Sequence, residues 1–178
     1  MIRSQRTWRL AAVGAAFGAL AIATPVLAGS GGCPNCTTAA KLGPPWISIE
    51  VPPNPFDQAS RGAYLIVHTY HHGEAVSAHI AGTAQGLVGG ARRTLPLEFT
   101  PTLRPGTYAL RQQWPREGSW VLVISSSEHP GDSVTALVAI GTGGAVTRVE
   151  VPTVERGGAL LPRPVSATDV ERFLRAAE

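Results

Sequence analysis

The chain has 178 residues, 44% of them hydrophobic, and a formal net charge of +3. Three of its fifteen basic residues, Arg3, Arg6 and Arg9, fall in the first 28, and the remaining twelve equal the twelve Asp and Glu, so residues 29–178 are formally neutral. Such a body has no basic stripe for nucleic acid, with Arg92-Arg93 its one dense basic pair, and its length suits a single domain with its own core.

Residues 1–28 read as an export signal. The three arginines form a basic leader, Leu10 to Ile22 form an apolar stretch, and Val26-Leu27-Ala28 supplies the small-residue cleavage pattern. The apolar stretch is short for a membrane span. The expectation is therefore a secreted or periplasmic protein that meets the membrane only during export. Residues 29–45 hold Gly-Ser-Gly-Gly and both cysteines, with little apolar periodicity, and read as a flexible tether.

From Trp46 onward, short runs with period-two alternation are separated by turn residues. They are Trp46 to Val51, Gly62 to Tyr70, Val76 to Gln85, Arg93 to Phe99, Thr107 to Trp114, Ser119 to Ser125, Ser133 to Ile140 and Ala145 to Val151. This spacing predicts an all-β, immunoglobulin-like antiparallel sandwich of about seven to eight strands over residues 46–152. No βαβ alternation appears, which argues against a parallel sheet. Pro105-Gly106 has the order of a type II turn. Pro115 to Gly118 fits a type I turn, which would pair Tyr108, Leu110 and Trp114 alongside Trp120, Leu122 and Ile124 in one hairpin. Residues 153–165 read as a connector, and Ser166 to Ala177 as a helix. In it Thr168 and Glu171 have capping-box spacing, while Val170, Phe173, Leu174 and Ala177 form one apolar face for docking on the sandwich.

Four of the five histidines, His68, His71, His72 and His79, fall within one predicted hairpin centred on His72-Gly73. In the register 70 opposite 75, Leu65, Val67, Ala78 and Ile80 share the core face. Ile66, His68, Tyr70, Ser77 and His79 share the other. His68 and His79 then become diagonal neighbours within reach of one copper or zinc ion, with His72 or Glu74 approaching from the turn. The competing reading is a solvated face of titratable histidines.

Cys33-Pro-Asn-Cys36 has the spacing of a local disulfide, a metal pair or a redox pair. Zinc would need a second ligand pair, thioredoxin-like chemistry a following helix in a βαβ unit, and haem attachment a His where Thr37 stands. In an oxidising compartment a small disulfide is the simplest outcome. Ser125 to Ser127 with His129 and Asp132 supply the residue types of a hydrolase triad, but they crowd one loop and no GxSxG elbow is present. Gly141-Thr-Gly143-Gly144 lacks the Lys-Ser/Thr of a phosphate loop and reads as a hairpin turn, and Trp114 and Trp120 read as core.

The stretch Gly106-Thr-Tyr108-Ala-Leu110 followed by Trp114-Pro-Arg-Glu-Gly118-Ser-Trp120 resembles the C-terminal half of exported YtkA-like and FixH-like immunoglobulin-fold domains, related in architecture to periplasmic copper-binding sandwiches. The resemblance spans Thr102 to Ser125 and implies an exported, non-enzymatic accessory domain, with a link to metal handling. Met1 is the only methionine, so a thioether Cu(I) site is excluded. The leading expectation is thus a non-enzymatic domain that binds or scaffolds a protein or small ligand without a cofactor. The alternatives are copper or zinc handling through His68 and His79, aided by His72 or by Cys33 and Cys36, and thiol-disulfide exchange at Cys33 and Cys36.

Overall fold

A computed structural model describes residues 43–177; residues 1–28, read as a signal, and the part of the expected tether that holds Cys33 and Cys36 lie outside them. The strands in chain order are β1 Trp46–Glu50, β2 Leu65–His71, β3 Glu74–Ala75, β4 His79–Val88, β5 Ala91–Pro96, β6 Phe99–Pro101, β7 Thr107–Leu110, β8 Ser119–Ser127, β9 Val134–Ile140, β10 Val146–Glu150, β11 Thr153–Arg156 and β12 Ala159–Pro162, followed by helix α1 Ala167–Ala176. One sheet has the order β1-β2-β7-β6 with β3 on the end of β2, and the second has β10-β9-β8-β4-β5. Every pairing is antiparallel. The first order is that of immunoglobulin strands A-B-E-D; β9-β8-β4-β5 is G-F-C-C′, extended by β10.

Each sheet contributes alternate residues to one core. Leu65, Val67 and Leu110 from the first sheet meet Trp120, Leu122, Ile124, Ala136 and Val138 from the second, all with zero or near-zero exposure. Trp120 lies directly opposite Gly86 in the β4–β8 register, and its ring occupies the place where a Cβ of Gly86 would stand. A bulky aromatic in the middle of a sheet thus finds room on a residue without a side chain. The other faces of β8 and β9 are buried too, because Val121, Leu137 and Ala139 pack under Val170, Phe173, Leu174 and Ala177 of the C-terminal helix region. This double burial is why the two strands read as nearly continuous apolar runs.

Three expectations are corrected. First, β7 and β8 do not form a hairpin; they belong to opposite sheets, so Tyr108, Leu110 and Trp114 meet Trp120, Leu122 and Ile124 across the core instead of beside them. The segment through Pro115 to Gly118 is the crossover between layers. Second, the segment read as a connector holds the β11–β12 hairpin, whose turn residues Gly157 and Gly158 both have positive φ (60° and 78°). A Gly-Gly pair between two short runs satisfies a two-residue turn. Third, the helix starts from Ser166, which forms the capping box with Asp169, so Thr168 and Glu171 do not serve that purpose. Asp169 also receives both terminal nitrogens of Arg163, each at 2.8 Å, which tie the helix start to the residue just after β12.

Candidate functional site

The predicted register at the histidine-rich turn is formed, but only for two residue pairs: Tyr70 faces Ala75 and His71 faces Glu74. His72 (φ 53°) and Gly73 (φ 80°) make the turn, a conformation that histidine tolerates better than branched residues. The hairpin stops there because both edges of β2 are taken. β1 pairs along one edge, and β7 occupies the other from Leu65 to His68. The Thr69 N–H donates to the Gly106 carbonyl at 2.8 Å, and a Cβ on Gly106 would come within 2.7 Å of the Thr69 and Val76 oxygens. The returning chain therefore leaves for the second sheet. The Ala78 carbonyl accepts from the Tyr108 hydroxyl at 2.6 Å, and the chain then begins β4.

This crossover separates the residues expected to share a metal. His68 stays on β2 in the first sheet, while His79 opens β4 in the second and faces Ser127. The diagonal pairing of His68 with His79 is not formed. His68 is engaged otherwise: its Nε2 lies 2.9 Å from Glu50 Oε2, and this bond, together with the Asn54 N–H, holds the Glu50 carboxyl below the ordinary carboxylate value. Its Nδ1 lies 3.5 Å from the Thr107 hydroxyl. His72 projects at the turn, exposed, with its ring stacked on that of His71 at 4.0 Å. Leu65 and Val67 take the core face as expected, whereas Ile66, placed on the polar face, is 2% exposed.

The structure gathers a different set of groups at the same end of the sandwich. Three connections converge there: the β2–β4 segment with His71 and His72, the β6–β7 turn with Leu103 and Arg104, and the β8–β9 loop with Glu128, His129 and Asp132. His71 Nδ1 meets Glu128 Oε2 at 2.5 Å, which ties a loop of the first sheet to a loop of the second. In the β8–β9 loop, Asp132 Oδ1 accepts the N–H groups of His129 at 2.9 Å and Glu128 at 3.2 Å. That turn folds the loop so that one ligating atom from each of Glu128, His129 and Asp132 lies within 4.8 Å of the others. A cleft of about 400 Å³ lies beside Glu128, lined by His71, His72, Glu74 and Val76.

His129 and Asp132 had drawn notice only as triad types with the adjacent serines. Here Asp132 Oδ1 accepts backbone N–H groups of its own loop and does not orient His129 through a ring nitrogen, and Ser125 Oγ donates to the Ala81 carbonyl of the neighbouring strand at 3.3 Å. Glu128 is the group that sequence reasoning missed; the available signal was the spacing Glu-His-x-x-Asp in a Pro-Gly loop between two strands. Two further motifs fall as read, while Cys33 and Cys36 lie outside the described residues. Gly141 to Ala145 closes the β9–β10 turn, and Trp114 and Trp120 are core, 4% and 1% exposed. Compared with known protein families, with curated proteins and with solved structures, the chain has no match, so the functional reading rests on its own geometry.

Proposed function

We propose that this chain is an exported, non-catalytic immunoglobulin-like domain that binds a protein or small ligand through the loop end formed by His71–Glu74, Leu103–Arg104 and Glu128–Asp132. The observation that carries this reading is the convergence of three loops, rich in ionisable groups, at the end where immunoglobulin sandwiches place their B–C, D–E and F–G connections. Loops there are held by a rigid two-layer scaffold yet are free of its packing demands, the usual condition for recognition surfaces. Leu103 stands 99% exposed among these groups, an apolar side chain with no role in the core. The basic leader and apolar stretch of residues 1–28 support export.

The test is site-specific photocrosslinking in the source cell. A photoreactive amino acid is placed at position 103 or 129 and, for the opposite end, at 90 or 143, and the processed protein is followed by fractionation. A discrete crosslinked species from 103 or 129 outside the cytosol supports the reading. Crosslinks confined to 90 or 143, or a protein retained unprocessed in the cytosol, overturn it.

A further inference from the structure

We propose that Glu128, His129 and Asp132 form a binding site for one divalent zinc ion at the loop end. The inference rests on the reading of that end as the recognition surface for its biological meaning, while the site stands on local geometry. Its donor set is one imidazole and two carboxylates, contributed by five consecutive residues, with ligating atoms already within 4.8 Å of one another. Zinc accepts nitrogen and oxygen donors of this kind in a compact, low-coordinate shell.

Two features separate this loop from a chance group of surface acids. The Asp132 carboxylate is fixed by two backbone N–H groups through Oδ1, and Oδ2 has no hydrogen-bond partner among the described residues. The position of the Asp132 carboxylate is thus set by the turn before any ion arrives, which reduces the chain entropy lost on binding. The Glu128 carboxylate is held from the other side by His71, which comes from a different sheet and meets only Oε2, leaving Oε1 for a cation. A hydrogen-bonded partner behind a ligating carboxylate is the arrangement that orients metal ligands in protein sites. His72, stacked on His71, limits the freedom of that ring.

Glu128 and His129 are exposed and Asp132 half-buried. Three protein ligands leave a tetrahedral ion one open position, and it faces solvent at the loop end. The structure thereby assigns the ion a bridging place: a carboxylate or imidazole of the bound partner could complete its shell. His68 and His79 take no part, and Cys33 and Cys36 are not required.

Zinc chloride is titrated calorimetrically into the exported, processed chain, and cobalt(II) is added in parallel to read the coordination shell from its visible absorption. Five variants are compared, each checked for an unchanged thermal midpoint: His129→Ala; Asp132→Asn, which retains the oxygen that accepts the two N–H groups; His71→Ala; the pair Cys33→Ser and Cys36→Ser; and the pair His68→Ala and His79→Ala. The expected result is one ion per chain. Its dissociation constant should rise by about tenfold or more in His129→Ala and Asp132→Asn and stay within about twofold in both paired variants, with a cobalt spectrum free of thiolate charge transfer. His71→Ala should weaken binding by about tenfold by loosening Glu128. No binding up to about 1 mM zinc, undiminished binding in His129→Ala, or loss of binding in either paired variant would overturn the assignment. Because the ion is measured on the isolated protein, this failure is distinct from a failure of the crosslinking experiment.

Discussion

Replacement of Phe173 by alanine tests whether the C-terminal helix is part of the fold or an appendage to it. Phe173 is fully buried between α1 and the outer face of the second sheet, where it packs in one cluster with Val121, Leu137 and Ala139. The guanidinium carbons of Arg148 and Arg172 lie 4.8 and 5.6 Å from its ring centroid. Truncating a buried Phe to Ala costs about 3–5 kcal/mol in transfer energy and cavity formation. The two cations, on a rim open to water, add about 0.5–1 kcal/mol at most. A loss of about 4 kcal/mol is a large share of the total stability of about 5–15 kcal/mol expected for such a domain. At about 2–4 °C per kcal/mol, it should lower the thermal midpoint by about 8–16 °C. The assay is urea unfolding followed by tryptophan fluorescence. With residues 1–28, which hold Trp8, removed, the tryptophans are Trp46, Trp114 and Trp120, all outside the helix, so the signal reports the sandwich. An earlier midpoint with an unchanged slope is expected. Phe56→Ala, at a residue 93% exposed, serves as the control and should stay within about 0.5 kcal/mol of the parent. If the fluorescence midpoint of Phe173→Ala stays put while helical signal is lost, the helix contributes nothing to β8 and β9 and the reasoning fails.

Gly86→Ala should destabilise the sandwich by about 1–3 kcal/mol, because the added Cβ would stand 2.4 Å from a ring carbon of Trp120; a neutral result in denaturant titration would show that the ring can swing aside. Asp169 is held far below its ordinary value of 3.8, first by Arg163 and then by the amide and hydroxyl of Ser166. A carboxylate whose folded-state pKa is depressed contributes stability that is complete above the unfolded value and is lost as the pH falls. The parent should therefore lose stability progressively below about pH 4, and Asp169→Asn should show a shallower acid limb in pH-dependent urea melts; parallel limbs would exclude Asp169 as a source of the effect.

Local signals in the chain located most of the elements. The turn residues and period-two runs placed eight of the ten strands of the two sheets close to their observed positions, missing only β3 and the break between β5 and β6, since alternation and turn chemistry are properties of neighbours in sequence. The apolar face of Val170, Phe173, Leu174 and Ala177 likewise announced a docked helix, and His72-Gly73 fixed a turn with its two adjacent pairs. The Gly157-Gly158 turn was equally local, but its flanking prolines and glycines masked the short strands beside it.

Which strand lies beside which was settled elsewhere. A hairpin reading assumes that the nearest run in sequence is the partner, and it failed twice for the same reason: an edge offers hydrogen bonds to one strand only. β7, arriving more than thirty residues after β2, fills the edge that β4 would have used, and the chain must cross to the second layer. That crossing parts His68 from His79 and brings His71 against Glu128, a contact between residues 57 positions apart. The amino-acid order determined the turns, the extended runs and the apolar face of the helix, whereas the meeting of loops at one end arises only when two sheets close over a shared core, because separations across that core are set by packing and not by distance along the chain.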